Sequence, residues 1–129
     1  MLRTLLKSKI HRARITDKNL SYEGSLTVDR VLMDAADLRP FEQIMIYNIS
    51  NGERFETYLI EGPPGSGAVC LNGAAARKGE VGDLIIIASY GIYGDGEIES
   101  GASIAVHVDE TNSISSVQTH PWKHVRQNP

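Results

Sequence analysis

The chain is short of several things at once. It has one cysteine, Cys70, in 129 residues, which excludes an intramolecular disulfide framework and fits a reducing compartment, hence the cytoplasm. Aromatic residues make up only 6%. The longest apolar run, Leu84-Ile85-Ile86-Ile87-Ala88, falls far below the roughly 18–20 residues that a membrane span needs. Positive charge is not in excess: 13 Lys and Arg face 16 Asp and Glu, for a formal net charge of −3. A nucleic-acid or anionic-membrane partner would need clustered positive charge, so neither is expected. Arg3, Lys7 and Lys9 interrupt the N-terminus, which therefore does not read as a signal peptide. His11, His107, His120 and His124 do not combine with Cys70 into zinc-ligand spacing; His120 and His124 are four apart but lie in a polar stretch and read as solvated. No metal is expected. Gly62–Gly67 lacks the Lys-Ser/Thr of a phosphate loop, and there is no Gly-x-Ser-x-Gly elbow.

What is present is a glycine-rich chain of short β-prone runs, long enough for one domain. Residues 2–16 read as extended, either one strand or a bent hairpin. As a strand, Lys7, Lys9, His11, Ala13 and Ile15 share one face, and Leu6, Ser8 and Ile10 the other. Ser25–Val28 is a short strand, and Asp29 is placed to N-cap a helix over Val31–Ala36 that Pro40 closes. Ile44–Ile49 and Arg54–Ile60 flank Asn51-Gly52, which predicts a type I′ hairpin with positive φ at both positions. A brief strand at Ala68–Leu71 follows, then a turn or single helical turn at Asn72–Ala76. Val81-Gly82-Asp83 is a tight turn before Leu84–Ala88, a fully buried central strand, and Ile104–Val108 is a late edge strand. One domain over 1–112 is expected, with 113–129 a polar, mobile tail ending at Pro129. The architecture predicted is mainly β: a small closed barrel with one or two short helices.

Taken alone, Cys70 sits in an apolar strand and reads as a small core residue. The chemistry points instead to Tyr22-Glu23-Gly24-Ser25, where a loop meets a strand. A serine hydroxyl there lies beside the preceding carbonyl carbon. In a strained peptide with a polarised Gly24 carbonyl, Oγ can attack it and move the acyl group from nitrogen to oxygen. Glycine suits the first position because it tolerates unusual φ and ψ and lets groups approach closely. By itself a Gly-Ser dipeptide more often marks a turn.

Five blocks in order change that weight: Met1–Arg12, Tyr22–Asp29, Asn51–Tyr58, Asn72–Arg77 and Val81–Ser89. With this spacing, from Met1 to about Asn112, the chain resembles the pyruvoyl-dependent aspartate 1-decarboxylase family, which makes β-alanine for pantothenate, the coenzyme A precursor. The resemblance implies a double-ψ β-barrel, a homotetramer with sites between subunits, and autocatalytic cleavage of a zymogen at Gly24-Ser25. Cleavage would leave a β chain of residues 1–24 and an α chain of residues 25–129, with Ser25 converted to a pyruvoyl group. No metal and no pyridoxal phosphate would be needed. The L-aspartate amine would form a Schiff base with the pyruvoyl ketone, which then serves as an electron sink for loss of CO₂.

The same resemblance assigns Tyr58 as proton donor. It assigns Lys9, Arg54, Thr57, Asn72, Gly73, Ala74 and Ala75 to substrate binding. Arg54 suits a carboxylate clamp because its guanidinium makes two parallel charge-assisted bonds. Thr57 would also polarise the Gly24 carbonyl during cleavage. On a regular strand Arg54 and Tyr58 share a face while Thr57 points to the other. Either the strand bulges or the two faces serve sites formed with different subunits. Leu26 and Thr27 after Ser25 are a variation the family shows, with no effect expected on the chemistry. Three alternatives stand beside this reading: a pyruvoyl decarboxylase for another amino acid, a double-ψ barrel acting as a binding or interaction module, and a homologue unable to cleave itself. The last is open because activation can require a helper protein that the sequence does not name.

Overall fold

The computed structural model describes residues 1–124; the end of the expected tail, 125–129, lies outside them. Strands dominate: β1 (Leu2–Arg14), β2 (Asp17–Asn19), β3 (Ser25–Asp29), β4 (Gln43–Asn48), β5 (Arg54–Gly62), β6 (Val69–Asn72), β7 (Leu84–Gly94), β8 (Ala102–Val108) and β9 (Ile114–Pro121). Two short helices, α1 (Arg30–Ala35) and α2 (Asp95–Ser100), and a 3₁₀ helix at Gly73–Lys78 complete the chain. Helix α2 was not anticipated. Its first turn is closed by the Glu97 carboxylate, which accepts from the Gly94 N–H at 3.1 Å.

The strand registers close a ring. β6 pairs with β3, β3 with β5, β5 with β4, β4 with β7 and β7 with β1. The chain then runs from β1 almost directly into β2, which pairs back with β6. Two pairs in this ring, β3–β5 and β2–β6, are parallel, and the rest are antiparallel. These interlocked crossings build the double-ψ β-barrel. The interior is filled by Ile10, Ile15, Leu26, Val28, Ile44, Ile46, Leu59, Leu71, Ile85 and Ile87, each at most 1% exposed. β8 and β9 form a flap outside the ring, β8 running parallel to β1.

Asp29 N-caps α1 as predicted, accepting from Val31 N at 2.8 Å. The same carboxylate also accepts from Gly65 N and Gly67 N, which ties the Pro- and Gly-rich loop to the head of the helix.

Several expectations are corrected. β1 is one strand, but its register against β7 shifts between Leu6 and Ser8 and between Ile10 and Ala13. Arg12, at φ 64°, lies inside the second bulge, so Ala13 and Ile15 turn to the interior with Ile10 instead of facing away from it. The hairpin at Asn51-Gly52 is present, but only Gly52 has positive φ. The turn is wider than type I′ because Asn48 Oδ1 accepts from the Ser50 and Asn51 N–H groups and holds them in place. β7 is central, yet it runs on to Gly94, and Ile86 is only half-buried because it alternates outward. β8 is not an edge: β1 and β9 flank it. The segment from residue 113 is not a loose tail but begins with β9, whose backbone pairs with β8 while its side chains stay exposed. Its end is pinned where Trp122 Nε1 donates to Leu6 O at 3.0 Å and the indole packs on Tyr93.

Candidate active site

β3 begins at Ser25, directly opposite Asn72 on β6. The serine is completely buried. Its Oγ donates to Glu23 O at 3.2 Å and accepts from Asn72 Nδ2 at 3.0 Å. Both contacts fix the hydroxyl beside the Gly24–Ser25 peptide. Beneath that peptide lies Gly73, at φ +60°. A Cβ on Gly73 would fall 2.6 Å from Gly24 N and 2.7 Å from both Gly24 Cα and Tyr22 O. The β6–3₁₀ junction is therefore a cradle that only glycine leaves open for the Gly24 backbone.

A pocket of about 290 Å³ opens above the cradle, lined by Gly24, Phe55, Glu56, Thr57, Tyr58, Ala74, Ala75 and Lys78. Of the residues singled out by sequence, Gly24, Thr57, Tyr58, Ala74 and Ala75 thus share one cavity, while Ser25, Asn72 and Gly73 are buried beside Gly24 and Ala74 in the chain and do not line it. The small side chains of Ala74 and Ala75 leave the main chain of the 3₁₀ helix close to Gly24, with Ala74 N 3.9 Å from a Cβ built there.

The register excludes a bulge. β5 pairs with β4 without a shift from Gln43↔Tyr58 to Tyr47↔Arg54, so no bulge reorients Thr57. Thr57 shares the inward face with Leu59; Tyr58 lies on the outward face with Arg54. The Tyr58 ring stacks on Phe41 with centroids 6.2 Å apart. It also borders a second pocket of about 510 Å³, shared with Tyr22 and Glu23.

Lys9 and Arg54 are not brought to Ser25 within the chain. Arg54 is exposed, its guanidinium 4.5 Å above the Tyr47 ring. The Tyr47 hydroxyl meets that of Tyr90 at 2.6 Å, and this hydrogen bond, with burial, pushes the Tyr90 phenol up to about 12. Lys9 is half-buried on β1 between Ala88 and Ala105. Next to it His11 packs edge-on against His107; burial, then the charge of Lys9, lowers its pKa. Cys70 is not a core residue but half-buried, and its thiol donates to Asn72 Oδ1 at 3.2 Å. Phe41, which has positive φ and is exposed apart from its contact with Tyr58, carries no local sequence signal of that contact. Among the described residues no cluster of His, Cys, Asp or Glu could hold a metal ion. No helix there is long and apolar enough to cross a membrane.

A double-ψ barrel with a sealed serine at a cradled Gly–Ser junction, beside an open pocket, defines a class: a small barrel protein with a candidate site built around its own backbone. A family profile described as aspartate decarboxylase matches residues 1–115. The aspartate 1-decarboxylase of Syntrophobacter fumaroxidans is 60% identical over 112 residues, 87% of this chain and 90% of that protein. The enzyme of the same name from Syntrophus aciditrophicus is 56% identical over 88% of this chain and 98% of its own length. That of Shouchella clausii is 50% identical over 98% of this chain and all of its own. The chain belongs to the aspartate decarboxylase family. Two rationally designed proteins of known structure align with TM-scores of 0.46 and 0.45, covering 60% and 67% of this chain at 10% and 15% identity, a likeness too distant to add to the strand registers.

Proposed function

We propose that the chain cuts itself between Gly24 and Ser25 and then decarboxylates L-aspartate to β-alanine and CO₂, supplying the β-alanine half of pantothenate. The observation that carries this reading is the Gly24–Ser25 peptide lying on Gly73 while Ser25 Oγ is held between Asn72 and Glu23 O. In the first step the Oγ–C bond to Gly24 forms, the Gly24 C–N bond breaks, and the hydroxyl proton ends on nitrogen. The Cα proton of residue 25 and the Cβ–O bond are then lost, leaving the Gly24 carboxylate and a dehydroalanine. Water enters and ammonia leaves, and a pyruvoyl group stands where Ser25 was.

The residues present fit that group. Position 25 is buried, the cradle has no side chain to fill it, and a pocket opens beside Gly24. A pyruvoyl group supplies a ketone that takes the substrate amine and accepts the electron pair left by CO₂. The chain does the rest. Thr57 faces the Gly24 side of the pocket, where its hydroxyl polarises the carbonyl. The Tyr58 phenol protonates the substrate carbon. Main-chain N–H groups of Gly73, Ala74 and Ala75 hold a carboxylate, with the Asn72 N–H that loss of Ser25 Oγ sets free on cleavage.

Lys9 and Arg54 lie outside this pocket, and Arg54 shares the outward face with Tyr58. This arrangement supports a homotetramer in which they reach the site of a neighbouring subunit. Exposed Met1, Leu2, Tyr22, Phe41, Tyr90 and Ile92 are the apolar surface such an assembly would cover. Whether maturation also uses a helper protein is decided by whether the purified chain cleaves alone. The single thiol, Cys70, suits a cytoplasmic setting.

The reading is tested by incubating cleaved protein with L-aspartate and borohydride. Trapped substrate on residue 25, with β-alanine and CO₂ released in the absence of reductant, supports it. Fully cleaved protein that traps no aspartate would remove aspartate as substrate. Light scattering tests the assembly, and a fully active monomer would contradict the shared site.

A further inference from the structure

Asn72 is the side chain that donates to Ser25 Oγ, and two residues with no part in the chemistry above fix its orientation. In the antiparallel β3–β6 pair, Ser25 lies opposite Asn72 and Thr27 opposite Cys70. With a side-chain period of two, all four side chains fall on one face of the sheet. The Asn72 carboxamide has two N–H donors, and both are used: one on Ser25 Oγ at 3.0 Å, the other on Thr27 Oγ1 at 2.9 Å. Its oxygen accepts from Cys70 Sγ at 3.2 Å. Burial, then the nearby Asp17 carboxylate, pushes the Cys70 thiol up, so near neutral pH it keeps the proton it donates.

We infer that Thr27 is a positioning residue for self-cleavage: its hydroxyl, with the Cys70 thiol opposite, locks the Asn72 carboxamide so that one N–H stays on Ser25 Oγ. The inference rests on the self-cleavage reading. The physical argument is one of lone pairs. Ser25 Oγ sends its proton toward Glu23 O and receives Asn72 on one lone pair, which leaves the other lone pair for the Gly24 carbon. Without the Thr27 hydroxyl the far side of the amide is held only by the Cys70 thiol, a weak donor, so the amide can rotate away, and the serine hydroxyl then samples rotamers that do not face that carbon. Near-attack geometry is sensitive to displacements of this size.

The experiment follows the appearance of the two fragments by intact mass after cell-free synthesis, with thermal melting measured on the same variants. Thr27→Val keeps the branched shape and removes the hydroxyl. It is expected to cleave roughly 3- to 10-fold more slowly than the parent, the span one orienting hydrogen bond commands, while melting within a few degrees of it. Thr27→Ser restores the hydroxyl and is expected to recover the parent rate. In an Asn72→Ala background Thr27→Val should slow cleavage no further, because Thr27 acts through Asn72. Should Thr27→Val fail to fold, Thr27→Ala removes the same hydroxyl by truncation and is compared with Thr27→Ser in the same way. Three outcomes would overturn the inference: a hydroxyl-free variant that cleaves at the parent rate, a serine variant as slow as the hydroxyl-free one, or the same slowing with Asn72 already gone. A parent chain that stays intact brings down the self-cleavage reading, and this inference with it.

Discussion

Gly73→Ala is the substitution whose cost can be worked out most directly from the structure. Gly73 sits at φ +60°, where an L side chain costs roughly 1–2 kcal/mol. Its new Cβ would also lie 2.6–2.7 Å from Gly24 N, Gly24 Cα and Tyr22 O. These are backbone atoms, which cannot rotate aside as a side chain can, and forcing such a contact open costs about 1–3 kcal/mol more. The atoms that must move carry the scissile peptide. A displacement of about 1 Å at a reacting centre can lower a rate about 10²-fold, so cleavage at Gly24-Ser25 should slow by roughly that factor. Gly52→Ala is the control. Gly52 also has positive φ, +80°, but a Cβ there meets nothing within 4 Å. It should lose only the roughly 1–2 kcal/mol of backbone strain and cleave at the parent rate. Denaturant melts and an intact-mass time course on both variants separate the two costs. A Gly73→Ala protein that cleaves as fast as Gly52→Ala would refute the cradle argument.

Three further outcomes follow from the same geometry. Tyr58→Phe keeps the ring on Phe41 and removes the phenolic proton, so cleavage and substrate trapping should persist while kcat falls roughly 10²–10⁴-fold; a parent-like kcat would move the proton donor elsewhere. Arg54→Ala should raise KM for aspartate far more than it lowers kcat, and an unchanged KM would remove it from the carboxylate clamp. Glu42 bears on acid stability. Burial pushes its carboxyl up, but hydrogen bonds from Ser89 and Lys7 outweigh this and hold it below its ordinary value. A lowered folded pKa stabilises the protein above the unfolded value of about 4.3 and loses that contribution as pH falls through the folded one. Melting temperature against pH should therefore decline more steeply for the parent than for Glu42→Gln on acidification, and parallel curves would show that the Lys7–Glu42 contact contributes nothing.

Local chemistry was legible where one short signal sufficed. The N-cap at Asp29 and the glycine turn at Val81-Gly82-Asp83 rest on neighbours in sequence, and both formed; the turn after Asn72 is in place but runs on as a 3₁₀ helix to Lys78. The hairpin at Asn51-Gly52 was legible in place but not in type, because the Asn48 side chain, outside the dipeptide, decides which backbone groups are satisfied. The Arg12 bulge was not legible. It sets the faces of β1 by register against β7, some seventy residues away. The β9 strand was missed because it is polar and exposed on both faces; it is held by ladder bonds to β8, which leave no hydrophobic pattern.

The site divides along the same line. Gly24-Ser25 and Asn72–Ala75 sit at strand ends and Thr57-Tyr58 in the middle of β5, and folding brings Gly24, Thr57, Tyr58, Ala74 and Ala75 to one pocket. Lys9 and Arg54 do not join it inside a single chain, so no reading of one barrel could place them. Thr27 lies two residues after Ser25, where sequence alone offered no reason to expect an effect on the chemistry. Its connection to Asn72 appeared only once β3 was paired with β6.

The central claim, that the chain makes its own reactive carbonyl at position 25, is tested most directly by intact mass spectrometry of the purified protein after warming, beside Ser25→Ala. The account predicts two polypeptides, residues 1–24 and 25–129, the second lighter by one ammonia than simple hydrolysis would leave it, and a single uncut chain for Ser25→Ala. A parent protein that stays whole, or a larger fragment that keeps its ammonia, would contradict it.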